Sequence, residues 1–98
     1  MPREYLFEFT ERAEVAYGRL PKAVQVRIDE VLQRIQRIGL RRPYVAKIRG
    51  HERIYLARAS NDIRIIFQVE GDTMTILDIV SRDKIQRLSR LYDWGTGV

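Results

Sequence analysis

DIRIIFQVEGDTMTILDIVSR, residues 62–82, decides the fold. Ile63, Ile65, Phe67 and Val69 alternate with Arg64, Ile66 and Gln68, Glu70-Gly71-Asp72 interrupts, and Thr73 to Val80 resumes an extended pattern. Two period-two runs around a short glycine-bearing break read as an antiparallel hairpin. One face of the first run is fully apolar, so Ile63, Ile65, Phe67 and Val69 are expected in a core, with Arg64, Ile66 and Gln68 on an open face.

Upstream the same period holds. Tyr44 to Arg49 and Arg53 to Ala59 read as two further strands, separated by Gly50-His51 and, before Ile63, by Ser60-Asn61-Asp62. Before Pro43 the period changes. Val24, Ile28, Val31, Ile35 and Ile38 recur at steps of three and four, which predicts an amphipathic helix over 22–38 stopped by Gly39. A shorter helix precedes it, with Thr10 as N-cap and Ala13, Ala16, Tyr17 and Leu20 on one stripe, and with Gly18 and Pro21 at the break between the two. Tyr5, Phe7 and Phe9 alternate with Glu4, Leu6 and Glu8 as an opening strand. Downstream, Ser81 is placed to cap a last helix carrying Ile85, Leu88 and Leu91 or Tyr92. The expected order is β-α-α-β-β-β-β-α: an α+β fold with a mostly antiparallel sheet, two N-terminal helices on one face and a C-terminal helix. Residues 1–94 read as a single domain and 95–98 as a flexible tail.

The 98 residues are 45% hydrophobic and 32% charged, a globular composition. No cysteine is present, which removes disulfides, thiolate metal sites and a cysteine nucleophile and suits a reducing cytoplasm. The start MPREYLFEF lacks a signal-peptide core, and no apolar run reaches the length of a membrane span. Eighteen Lys and Arg against 13 Asp and Glu leave a formal charge of +5, favouring a polyanion or an acidic protein as partner. The charge is unevenly spread: six of the 13 acids lie at or before Glu30, whereas Arg41, Arg42, Lys47, Arg49, Arg53, Arg58 and Arg64 arrive with only Glu52 and Asp62 between them. That middle stretch is the candidate anion-binding surface.

Three blocks in order, FTERAEVAYGRLPKAVQVRIDEVLQRI, AKIRG and DIRIIFQVEGDTMTILDIVSR, resemble the RelE/ParE superfamily of type II toxins across nearly the whole chain. The second resembles that family's Lys-hydrophobic-Arg-Gly turn, the third its arginine-bearing strand. In the RNA-cleaving branch the resemblance implies a ribosome-dependent mRNA endonuclease that inhibits translation. A ribose 2′-hydroxyl attacks the neighbouring phosphate, with no metal or cofactor. Such a step needs a proton acceptor, cations for the developing phosphorane and a donor for the 5′-oxygen.

By position, Arg64 matches the family's strand arginine, and Arg82 follows the last strand close to it. Tyr55 and Ala57 stand where the RNA-cleaving branch has two strand lysines, and Gln86 where it has a terminal tyrosine. Arg53 and Tyr55 are expected to share the open face, with His51, of a residue type suited to general acid-base work, at the adjoining turn. The candidate catalytic set is therefore Arg64, Arg82, Tyr55 and His51. Lys47, Arg49, Arg53, Arg58, Lys84 and Arg87 are candidate RNA contacts, Arg58 reaching the site if its strand is bulged. The resemblance also implies an antitoxin partner with a largely acidic wrapping segment, for which Leu88, Leu91, Tyr92 and Trp94 are the candidate docking residues. Two other functions fit the same fold: a ParE-like inhibitor of DNA gyrase, which needs no proton-transfer set, and a non-toxic relative whose basic surface serves only an acidic partner.

Overall fold

The computed structural model describes residues 4–40, 45–48 and 50–88, the side chains of Gln86 and Leu88 excepted. Its elements are β1 (Leu6–Phe9), α1 (Glu11–Gly18), α2 (Lys22–Ile38), β2 (Val45–Lys47), β3 (Ile54–Arg58), β4 (Ile63–Glu70), β5 (Thr73–Ser81) and α3 (Arg82–Leu88), in the order read from the sequence. The ends Tyr44 and Arg49 expected for β2 lie outside the described residues, as does the tail expected at 95–98.

The sheet runs β1-β5-β4-β3-β2. Strands β2 to β5 pair antiparallel in sequence, whereas β1 lies parallel to β5, with Leu6 opposite Thr73 and Phe9 opposite Ile76. Local chemistry sets the ends of the elements. The Thr10 hydroxyl accepts from the Ala13 amide at 3.1 Å, capping α1, and donates to the Leu77 carbonyl of β5 at 2.9 Å. One side chain thus starts a helix and fastens it to the sheet. Gly39 closes α2 at φ 80°, a conformation that a side-chain-bearing residue rarely adopts, while its amide donates to the Ile35 carbonyl. The Gln36 side chain binds both the amide and the carbonyl of Tyr5 at 2.6 Å, tying α2 to the entry of β1.

Helices α1 and α2 cover one face of the sheet. Ile28, Val31, Leu32 and Ile35 of α2 and Ala13 of α1 pack there against Val45, Ala57, Ile65, Phe67, Met74, Ile76 and Ile79. Ile38, expected on the α2 stripe, is 40% exposed, and Leu32 takes the inward place. Between Ile66 and Phe67 the β4–β5 register slips: Ile66 opposes Asp78 and Phe67 opposes Ile76, leaving Leu77 unopposed. This bulge reverses the alternation of β5, so that Ile76 and Ile79 both face the helices while Asp78 and Val80 face the other way.

The second face departs from the sequence reading, which left it open. Ile85 of α3 folds back on Ile48, Leu56 and Val80, with Ile54 and Ile66 at the margin, and makes a small second core. Each fully buried aliphatic side chain of this kind contributes roughly 1.5–3 kcal/mol, enough to hold a helix of seven residues that could not form alone. Among the described residues no helix is long and apolar enough to cross a membrane.

Candidate functional site

Arg64 opens β4 directly opposite Arg58 of β3, and the two share the face that α3 covers. Because directly opposed residues project to the same side of a sheet, Arg58 reaches this position without the strand bulge that the sequence reading required. Arg64 is not on an open face: it is 4% exposed, the single buried charged residue among those described. Its Nη1 donates to three main-chain carbonyls of the β3–β4 connection, Ser60 at 2.7 Å, Asn61 at 3.3 Å and Ile63 at 3.1 Å. Its Nε is buried without a hydrogen-bond partner among the described residues.

The same connection holds two more arginines. Arg58 donates from Nη2 to the Asn61 side-chain oxygen, and the Arg82 amide, at the start of α3, donates to the Asp62 carbonyl at 2.7 Å. Ser60 steadies the turn by accepting from the Asp62 amide. Burial depresses the Arg64 pKa, the charges of Arg58 and Arg82 push it further down, and Asp62 acts in the opposite sense. A guanidinium titrates so far above neutrality that it stays charged through this loss. The result is a desolvated cation flanked by two exposed ones and only weakly offset, an environment that an anion would relieve.

Other candidates fall elsewhere, for reasons of register. Tyr55 opposes Phe67, and the two rings stack at 5.6 Å and 12° on the helix-covered face, away from Arg64. Ala57, likewise in place of a family lysine, is fully buried there opposite Ile65. Tyr55 and Arg64 therefore do not share a face. Lys47 opposes Tyr55 and so belongs to the Tyr55 side, exposed at the edge strand β2. His51 sits in the β2–β3 turn, its amide donating to the Ile48 carbonyl. That turn adjoins Ile54, whereas Arg64 pairs with Arg58 at the other end of β3, about 13 Å away at the rise of an extended strand. The expected set of Arg64, Arg82, Tyr55 and His51 thus separates: Arg64 and Arg82 come together with Arg58, and Tyr55 and His51 do not join them.

Arg53 is exposed and ion-paired with Glu70 at 2.9 Å. Lys84 turns toward Asp78, 4.0 Å away, and Arg12 of α1 approaches the same carboxylate at 4.0 Å. These groups, with Val15 and Arg19, line an open groove of about 670 Å³ between α1 and α3. Arg87 is exposed in the last turn of α3. Arg49, the side chain of Leu88, and Leu91, Tyr92 and Trp94 lie outside the described residues. What sequence reasoning missed is the role of Ser60, Asn61 and Asp62. Their polar, turn-forming run marked a strand boundary, and the carbonyls it offers to a nearby arginine follow only from the closed hairpin.

No protein-family model and no curated protein matches the chain. Solved structures do. An archaeal RelE–RelB complex from Pyrococcus horikoshii superposes with a TM-score of 0.68 at 26% identity, over 84% of this chain and 97% of the other. A mutant of Escherichia coli RelE in the free state gives 0.72 at 19% identity, over 88% and 92%. A YoeB dimer from Staphylococcus aureus gives 0.67 at 20% identity, over 80% and 95%. The resemblance read from the sequence thus holds in three dimensions, and the chain has the RelE-like fold of type II toxins.

Proposed function

We propose that this RelE-like chain is the toxin of a type II toxin-antitoxin pair and cleaves mRNA on the ribosome. The observation that carries the reading is the Arg58, Arg64 and Arg82 cluster on one turn, with Arg64 buried and lacking an ion-paired carboxylate among the described residues. In the reaction, a ribose 2′-oxygen attacks the adjacent phosphorus as its proton passes to water, the bond from phosphorus to the 5′-oxygen breaks, and that oxygen takes up a proton from water, leaving a 2′,3′-cyclic phosphate. The charge that accumulates on the phosphorane oxygens is what fixed cations stabilise, and electrostatic stabilisation in a water-poor site is the larger part of such catalysis. Arginine suits this task because its planar fork matches two phosphate oxygens and does not lose its proton near neutrality. Tyr55 and His51 are assigned no part in the step, Tyr55 lying on the helix-covered face and His51 in the turn at the far end of β3.

Two of the solved relatives support the partner. The Pyrococcus horikoshii RelE is in complex with RelB, and a YoeB from Staphylococcus aureus is in complex with YefM. An acidic antitoxin segment would meet the excess positive charge of this chain and could occupy the arginine cluster in place of RNA. The gyrase alternative has no support among the matched structures named above, which are RelE and YoeB proteins.

Inducible expression in bacteria tests the reading. Growth should stop, amino-acid incorporation should fall before thymidine incorporation, and Arg58→Gln with Arg82→Gln should relieve both effects. Unimpaired growth, or DNA synthesis failing first, would contradict it.

A further inference from the structure

Three arginines converge on residues 60–63, but they do so in different ways. Arg58 and Arg82 are exposed, whereas Arg64 is 4% exposed and its Nε is shut away from solvent. Arg64 spends Nη1 on the carbonyls of Ser60, Asn61 and Ile63. The segment so held is the one that fixes the other two: Asn61 accepts from the Arg58 guanidinium, and the Asp62 carbonyl accepts from the Arg82 amide. An end-on fork to an incoming phosphate would need Nη1, which is committed to main-chain acceptors, and a side-on fork would need Nε, which is buried, so Arg64 has no accessible pair of donors.

We infer that Arg64 is a positioning residue: it braces the 60–63 turn from inside, and the phosphate is contacted by Arg58 and Arg82, which the turn holds apart on either side. This deepens the proposed function and rests on its claim that the cluster binds phosphate.

The test uses the full chain and two probes, inorganic pyrophosphate and a short oligouridylate. In the wild-type protein, the arginine Nε–H resonances are followed by NMR as each probe is added. Those of Arg58 and Arg82 should shift, and that of Arg64 should stay near its free position. Binding is then measured across salt for Arg58→Gln, Arg82→Gln and Arg64→Gln, each first shown to unfold cooperatively. With the RNA, the first two should each lower the salt slope by about 0.7, the loss of one phosphate contact on a single strand. Arg64→Gln should leave the slope unchanged, weaken binding about tenfold, and speed amide exchange at 60–63. A residue needed only for folding would change the folded fraction without changing the affinity of the folded protein.

The inference is overturned if the Arg64 resonance shifts most, or if Arg64→Gln lowers the slope as much as the others while exchange at 60–63 is unchanged. It is also overturned if neither probe moves any of the three resonances. Should pyrophosphate produce the expected pattern and RNA none, the positioning role stands and the nucleic-acid reading fails.

Discussion

The two ends of the β3–β4 hairpin each hold an arginine, on opposite terms. At one end Arg53 lies in water, 2.9 Å from Glu70, both side chains more than half exposed. At the other, Arg64 is buried, bonds three carbonyls in place of a carboxylate, and has two further arginines beside it. The first is an ordinary surface ion pair, worth about 0–1 kcal/mol. The second gives up hydration to hold the 60–63 turn through main-chain acceptors. The contrast teaches where to look for function: among the described basic residues, the informative one is the buried cation whose hydrogen bonds go to carbonyls and not to a carboxylate.

The contrast can be broken most severely at the buried end. Replacing Arg58 and Arg82 together by Gln should lower RNA affinity by at least about a hundredfold, since charge-assisted bonds contribute about 1.5–3 kcal/mol each, with the urea midpoint unmoved. Fluorescence titration of a labelled oligonucleotide reads this, and unchanged affinity would make the cluster a solvated charged face. Next in size, Arg64→Met should cost about 1–3 kcal/mol in urea unfolding because three turn carbonyls lose their donor. A rise in stability would instead show that Arg64 is only a desolvated charge, as when apolar residues replace a buried ion pair.

At the exposed end, Glu70→Gln should change stability by less than about 1 kcal/mol and leave RNA binding as it was. The smallest effect lies outside the hairpin and serves as a control for pH. Burial, the hydrogen bond to Asp29 and that residue's charge together raise the Tyr17 pKa above its ordinary value of 10.0. The folded state therefore keeps the phenol proton more tightly than the unfolded one. Its stabilising contribution is complete below pH 10 and is lost as pH rises through the raised pKa. Tyr17→Phe should flatten that alkaline decline in a pH series of thermal melts without altering the Arg64 end.

Much of this architecture is written in local pattern. The α2 stripe and Gly39 define 22–38, Thr10 marks its helix by chemistry alone, and the glycine at 71 places the β4–β5 turn. Faces were harder to read. Counting by twos from Arg53 put Tyr55 beside Arg64, but the register set by the 59–62 turn puts it opposite Phe67, under the helices. The bulge at Leu77 leaves no mark in composition, since Ile76, Leu77 and Ile79 are alike to any hydrophobic pattern. Arg64 was legible as a candidate, but its burial was not, because that depends on α3 returning across the sheet through one residue, Ile85. The Arg58–Arg64 neighbourhood is hidden for a different reason: it is fixed by pairing across strands, not by sequence spacing.

The most direct test of the account is a translation reaction with purified bacterial ribosomes and a defined mRNA, in which new 5′ ends are mapped. Wild-type protein should produce cuts that require ribosomes, and these should vanish with the folded Arg58→Gln, Arg82→Gln variant. Intact mRNA in the presence of folded wild-type protein, or equal cutting by the variant, would contradict the claim that this arginine cluster acts on RNA.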